Sequence, residues 1–299
     1  EASALLVAHR GKIVIEEYDR GAGPGTIFCA WSVAKSILHS LVGIATTEGL
    51  SVAEPVALSA WRASPNDMRG EITLRHLLTM TSGLRFREDY SNERESDVIP
   101  MLFGSGRHDV AAFAANMPLV TPPGQSWSYS SGSSNIASGV LRDWLTGHGR
   151  EYEVFVHERL FRPAGMTRAR VVFDRAGTFV ASSGLTCTGR DLVRFGELYR
   201  GRGQLEGTRI LPSEWVDDAH VSTPECESRT YGTHFWMNTI VPGGFSAQGF
   251  GCQLVLIVPD RELVVVRLGR KPEGGKAQFF ETMRGLATSF RMTRSEQRE

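Results

Sequence analysis

Charge of one sign is what this sequence most plainly lacks. Its 33 lysines and arginines balance 33 aspartates and glutamates, so the formal net charge is zero. No global field draws the chain to nucleic acid or to an anionic membrane surface. No apolar run approaches the length of a bilayer span, so no membrane-spanning segment is expected. Residues 1–3 do not read as a secretion signal, although one could have been removed, and the compartment stays open. Cysteines are few and scattered. Cys29, Cys187, Cys226 and Cys252 form no CxxC pair and read as reduced, mostly buried thiols. Two hydrolase signatures fail as well. His157-Glu158 is followed by Phe161 where a zinc protease needs a second histidine. Gly244-Phe245-Ser246-Ala247-Gln248 misses the last glycine of a nucleophile elbow. Neither a metal nor another cofactor is expected.

What is present is enough apolar sequence for a substantial core: 41% of 299 residues are hydrophobic. The N-terminus reads as a β-hairpin, with Ala4–Val7 and Ile13–Ile15 as strands and His9–Lys12 as the turn. A helix is expected from Trp31 to Glu48, with Gly49 as its stop. The middle looks helical and loop-rich. It has helical spacing at Ile72–Met80, Ile136–Leu145 and Tyr152–Leu160, a cap at Asp109 for Val110–Asn116, and a break at Pro122-Pro123-Gly124. Asp191–Arg200 is amphipathic and closes at Gly201. Leu254–Val258 and Leu263–Leu268 are strand-like around a Pro259–Glu262 turn, and Gln278–Phe290 is a last helix. The charged tail 293–299 reads as a frayed end. Strands at both ends can pair into one sheet, which predicts an α+β fold with a discontinuous sheet lobe (1–58 and 176–299) and a helical lobe (59–175).

The helix beginning near Trp31 is apolar nearly all round, which marks it as buried. Yet Ser32, Lys35, Ser36 and His39 fall on one face. A lysine on a buried helix needs partners or a wet cleft. A serine at a helix start meets free N–H groups that favour negative charge. A lysine one turn away can take its proton if burial makes it a base. The plainer reading makes Ser32 a helix cap, Lys35 a surface residue whose ammonium reaches water, and His39 a satisfied core histidine. Tyr129, on the loop after Pro122-Pro123-Gly124, could pass protons between nucleophile and leaving group, or be a buried tyrosine with one bond. In Phe245–Gln253, glycines would let a substrate carbonyl approach a strand N–H, or simply form a hairpin.

Taken together, these segments resemble the serine β-lactamase/DD-peptidase superfamily, in the branch of class C enzymes, family VIII esterases and 6-aminohexanoate-dimer hydrolases. The resemblance rests on Trp31-Ser32-Val33-Ala34-Lys35-Ser36, on Ile72–Leu84, on Pro123–Gly132 with its Tyr129-Ser130-Ser131, and on Gly184–Leu192. It implies an antiparallel sheet flanked by helices, an all-helical lobe, and an active site in the cleft between them. It implies Ser32 as nucleophile, Lys35 and Tyr129 as its partners, and the backbone N–H groups of Ser32 and Phe250 as the oxyanion hole. Ser131, Gln248, Gly249 and Trp236 would meet substrate. Ser131 stands where the family's Tyr-x-Asn element has asparagine. Ala247-Gln248-Gly249 stands where the family often carries Lys or His, a small residue and Gly. With no cation on that strand, a small uncharged ester or amide is the expected substrate, and a lysine at position 247 would favour carboxylates. The alternatives are a β-lactamase or DD-peptidase, and a non-catalytic sensor that is acylated without turnover.

Overall fold

A computed structural model describes residues 3–292 apart from 20, 63 and 93; the expected frayed tail lies outside the described residues. The hairpin forms as expected. β1 (Ala4–His9) and β2 (Lys12–Tyr18) are joined by Arg10-Gly11, both at positive φ (55° and 76°), which matches the right-handed twist of the strands. β3 (Phe28–Cys29) leads into α1 (Val33–Thr46), two residues shorter at each end than its apolar pattern suggests. Every α1 residue from Val33 to Ala45 is buried.

The helical block follows: α2 (Leu74–Leu78), α3 (Val98–Phe103), α4 (Val110–Ala115), α5 (Ser131–Gly147), α6 (Tyr152–Val156) and α7 (Arg162–Ala164). Asp109 caps α4 by accepting from the Ala112 N–H. The expected Tyr152–Leu160 helix instead passes into a π-helical turn at His157–Phe161. Then come β4 (Arg170–Val171), β5 (Leu185–Cys187), α8 (Gly189–Arg200), β6 (Gln204–Leu205), β7 (Thr208–Arg209) and α9 (Ser213–Ala219). α8 starts earlier than its apolar spacing shows, because Thr188 and Asp191 form a capping box. β8 (Trp236–Met237), β9 (Phe245–Gly249), β10 (Gln253–Val258), β11 (Leu263–Leu268) and α10 (Gly275–Ser289) complete the chain.

The main sheet runs β2-β1-β11-β10-β9-β8, with β1 antiparallel to β11 from Ala4↔Leu268 to His9↔Leu263. The N-terminal hairpin and the C-terminal strands therefore share one sheet, as their patterns predict. β10 and β11 are buried at all positions because both faces are covered. On one face Leu254, Leu256, Val258, Leu263 and Val265 pack with Phe279 and Met283 of α10. On the other, Val255, Ile257, Val264 and Val266 pack in the large core with α1 and α8. A strand buried on both sides reads as a continuous apolar run. No helix among the described residues is long and apolar enough to cross a membrane. Of the four cysteines, expected to be mostly buried, Cys187 and Cys226 are buried, Cys252 is half-buried and Cys29 is exposed.

Candidate active site

Ser32 sits just ahead of α1 in helical conformation, yet its hydroxyl makes no capping bond. That removes the plainer reading of Ser32 as a cap. Instead it accepts a bond from Lys35 Nζ at 3.1 Å. Lys35 is 2% exposed, so it is no surface residue. Its ammonium also donates to Ser131 Oγ at 3.1 Å and to the Ser182 carbonyl at 3.0 Å. Three N–H groups thus have three acceptors, which is what a buried ammonium requires.

Each acceptor is itself anchored. Asn135 donates to Ser182 Oγ at 3.1 Å and accepts from the Ser182 N–H at 3.0 Å, fixing the carbonyl that faces Lys35. Ser131 donates its hydroxyl to Glu88 Oε1 at 2.5 Å and its N–H to Glu88 Oε2 at 2.8 Å. Glu88 thereby places a carboxylate on the first turn of α5, where the helix dipole favours it. Tyr90 donates to the same carboxylate. Burial of its hydroxyl and the adjacent charge push the Tyr90 phenol well above its usual range, so it remains a donor. The reading that gives Ser131 to the substrate needs correction. At 1% exposure, with its hydroxyl committed to Lys35 and Glu88, it is a link in the network and not a wall of the cleft.

His234 ties α1 to α5. Its Nδ1–H donates to the Lys35 carbonyl at 2.9 Å, and Nε2 accepts from Ser134 Oγ at 3.2 Å. Burial first, and the Lys35 charge second, hold it down at about 3, so the ring is neutral. His39 is bonded to Tyr199 at 2.7 Å and Thr233 at 3.1 Å and stacked on Trp215, as a core histidine would be.

Tyr129 does come to the site. Lys35 Nζ lies 4.9 Å from its ring centre, and the ring stacks on Trp236 at 5.4 Å. The end of β9 lies beside the start of α1: a Cβ on Gly249 would sit 2.2 Å from the Ala30 carbonyl oxygen. Phe250 follows, its ring edge-on to Trp31 at 5.8 Å and 5.5 Å from Tyr90. The N–H groups of Ser32 and Phe250 meet no backbone acceptor among the described residues. Cys252, which lines this cleft, and Trp31, just before Ser32, hold positive φ of 64° and 52°. Such conformations cost roughly 1–3 kcal/mol each and persist where the surrounding structure holds them.

The cleft encloses about 360 Å³ and is lined by Ser32, Tyr129, Trp236, Gln248, Gly249 and Phe250, among others. Gln248 donates to Thr239 and Ser246, which turns its amide along the strand. Ala247 is 1% exposed and packs into the core, so a lysine there would point away from the cleft. The cleft nevertheless has cations. Lys271 lines it from the approach to α10 and Lys276 from its first turn, an element that sequence spacing alone does not connect with the site. No group of three or more His, Cys, Asp or Glu among the described residues could hold a metal ion.

The Beta-lactamase family model matches residues 2–288. The chain belongs to that family. It is a hydrolase of the serine β-lactamase-like superfamily. The 6-aminohexanoate-dimer hydrolase of Paenarthrobacter ureafaciens is 24% identical over 290 residues, which cover 90% of this chain and 73% of that protein. Among solved structures, a candidate 6-aminohexanoate-dimer hydrolase from Bacillus anthracis superposes with a TM-score of 0.78 at 21% identity. The match covers 96% of this chain and 78% of that one. A family VIII carboxylesterase gives 0.68 at 16% identity, over 90% and 86% of the two chains. These likenesses establish the α+β fold of the family. Glu88, Asn135, Ser182 and His234 escaped the sequence reading because their role is a contact across chain segments, and nothing in their local spacing marks it.

Proposed function

We propose that this protein is a serine esterase or amidase that works through an acyl-enzyme on a small substrate. The observation that carries the reading is the bond from buried Lys35 to a Ser32 hydroxyl that caps nothing. In this reading Lys35 works as the neutral amine: Ser32 Oγ attacks the carbonyl carbon while its single proton passes to the Lys35–Tyr129 pair. The oxyanion settles against the N–H groups of Ser32 and Phe250. Tyr129 returns the proton to the leaving oxygen or nitrogen, and water then releases the acyl group from Ser32. Two lobes, 1–58 with 176–299 and 59–175, would form the walls, with Ser32 from one and Tyr129 from the other.

A fluorophosphonate probe tests this directly. It should label Ser32 alone, and Ser32→Ala should lose both labelling and p-nitrophenyl butyrate hydrolysis. Peptide mapping that put the label on Ser36, Ser128 or Ser131 would overturn the assignment.

A further inference from the structure

Lys35 is held at both ends. Its Nζ meets three acceptors, and its backbone carbonyl accepts from His234 Nδ1–H at 2.9 Å. The grip on α1 is wider than that one bond. Ser36 Oγ donates to the His234 carbonyl at 2.7 Å, and Thr233 Oγ1 bonds His39 Nε2 at 3.1 Å. The dipeptide Thr233-His234 therefore takes hold of α1 at Lys35, Ser36 and His39. On its other side the ring accepts from Ser134 Oγ at 3.2 Å, near the start of α5, whose Ser131 is bonded to Lys35 Nζ. Two residues further on, Trp236 stacks on Tyr129 and opens β8, where it pairs with Ser246 of β9.

The backbone shows that the imidazole itself matters at this point. His234 holds φ at 58°, a left-handed conformation that glycine takes at no steric cost. A side chain there is strained. Burying an imidazole to 3% exposure adds the cost of taking its polar nitrogens out of water. Glycine would avoid both, so filling the turn does not account for the residue. His234 does not line the cleft, so it touches no substrate. Its contribution passes through the groups that it holds.

We propose that His234 is a positioning residue for catalysis: its Nδ1–H bond to the Lys35 carbonyl sets the lysine, and with it the Ser32–Lys35 pair, in register with α5 and Tyr129. This rests on the serine hydrolase reading and adds a residue to it.

The experiment separates the two ring nitrogens. An asparagine places its amide about where Nδ1 lies, and a glutamine about where Nε2 lies. His234→Asn thus keeps a donor for the Lys35 carbonyl, and His234→Gln keeps an acceptor for Ser134. Each loses one ring bond, so their thermal melts should fall alike, and stability does not explain a difference in rate. On p-nitrophenyl butyrate, kcat should stay within about fivefold of the parent in His234→Asn. It should fall roughly 30- to 100-fold in His234→Gln, since misplacing reacting groups by about 1 Å costs on the order of 100-fold. KM should move by less than about threefold in both, because neither bond reaches the substrate. The rate of fluorophosphonate labelling at Ser32 should follow kcat. His234→Gly, which relieves the backbone, carries the same expectation as His234→Gln and replaces it if the glutamine variant does not fold. Equal rates in the asparagine and glutamine variants, or a folded His234→Gly enzyme with kcat within about threefold of the parent, would overturn the positioning role. A parent enzyme that neither labels at Ser32 nor hydrolyses the ester would instead sink the hydrolase reading itself.

Discussion

Gly249→Ala is the most direct probe of the reactive geometry. The added Cβ would lie 2.2 Å from the Ala30 oxygen, where real Cβ contacts essentially never fall under 3.0 Å. The obstacle is backbone, so no side chain can swing aside. β9 and the segment entering α1 must part by about 1 Å, a displacement that typically costs on the order of 100-fold in rate. The same movement separates the Ser32 and Phe250 N–H groups, and losing one oxyanion donor costs about 2.7–4 kcal/mol, or roughly 10²–10³ in kcat. Overpacking itself costs only about 1–3 kcal/mol of stability, so the variant should fold. The assay is kcat on p-nitrophenyl butyrate, with near-UV circular dichroism and a thermal melt as controls. Gly25→Ala, whose Cβ meets nothing within 4 Å, serves as the reference substitution. A folded Gly249→Ala enzyme with kcat within about threefold of the parent would refute the placement of the oxyanion hole.

Two further outcomes are expected. Glu88→Ala removes the acceptor of the Ser131 N–H and hydroxyl; since hydrogen bonds to a charged group are worth about 1.5–3 kcal/mol, kcat/KM should drop by roughly 10- to 100-fold, with partial recovery in Glu88→Gln. An unchanged value in Glu88→Ala would make the carboxylate a bystander. His234 is held at about 3 when folded against 6.5 when unfolded, so the unfolded chain takes up the proton first. Its contribution is complete above pH 6.5 and is drawn down as the pH falls toward 3. Urea melts should show a loss on the order of 2 kcal/mol between about pH 7.5 and 5, before most carboxylates titrate. His39, also pushed well down by burial, adds in the same direction. A flat stability across that window would contradict the buried neutral imidazoles.

Ser32 and Lys35 were legible because a helix converts a three-residue spacing into contact, and a surrounding apolar run announces burial. The shared sheet was legible for a similar reason, since β1 and β11 are short apolar strands at opposite ends of the pattern. Ala247 shows where such reasoning stops. Alternation says that neighbouring residues face opposite ways, but the side that meets the cleft is set by whichever helix packs on the sheet. Glu88 lies in a loop with no period to read. Lys271 and Lys276 look like ordinary charges near a helix start, and only the fold brings them beside Tyr129.

The pairing of β1 with β11 also has a consequence for biosynthesis. Ser32 leaves the ribosome well before the β9 segment that lies beside the start of its helix. A nascent chain tends to fold from its N-terminal side as it emerges, yet α1 is apolar on every side and its cover includes strands not yet made. The core around α1 therefore cannot close until the last strands of the sheet are made. In the proposed reading the Phe250 N–H receives the oxyanion, and competence then arrives together with the last strands of the sheet.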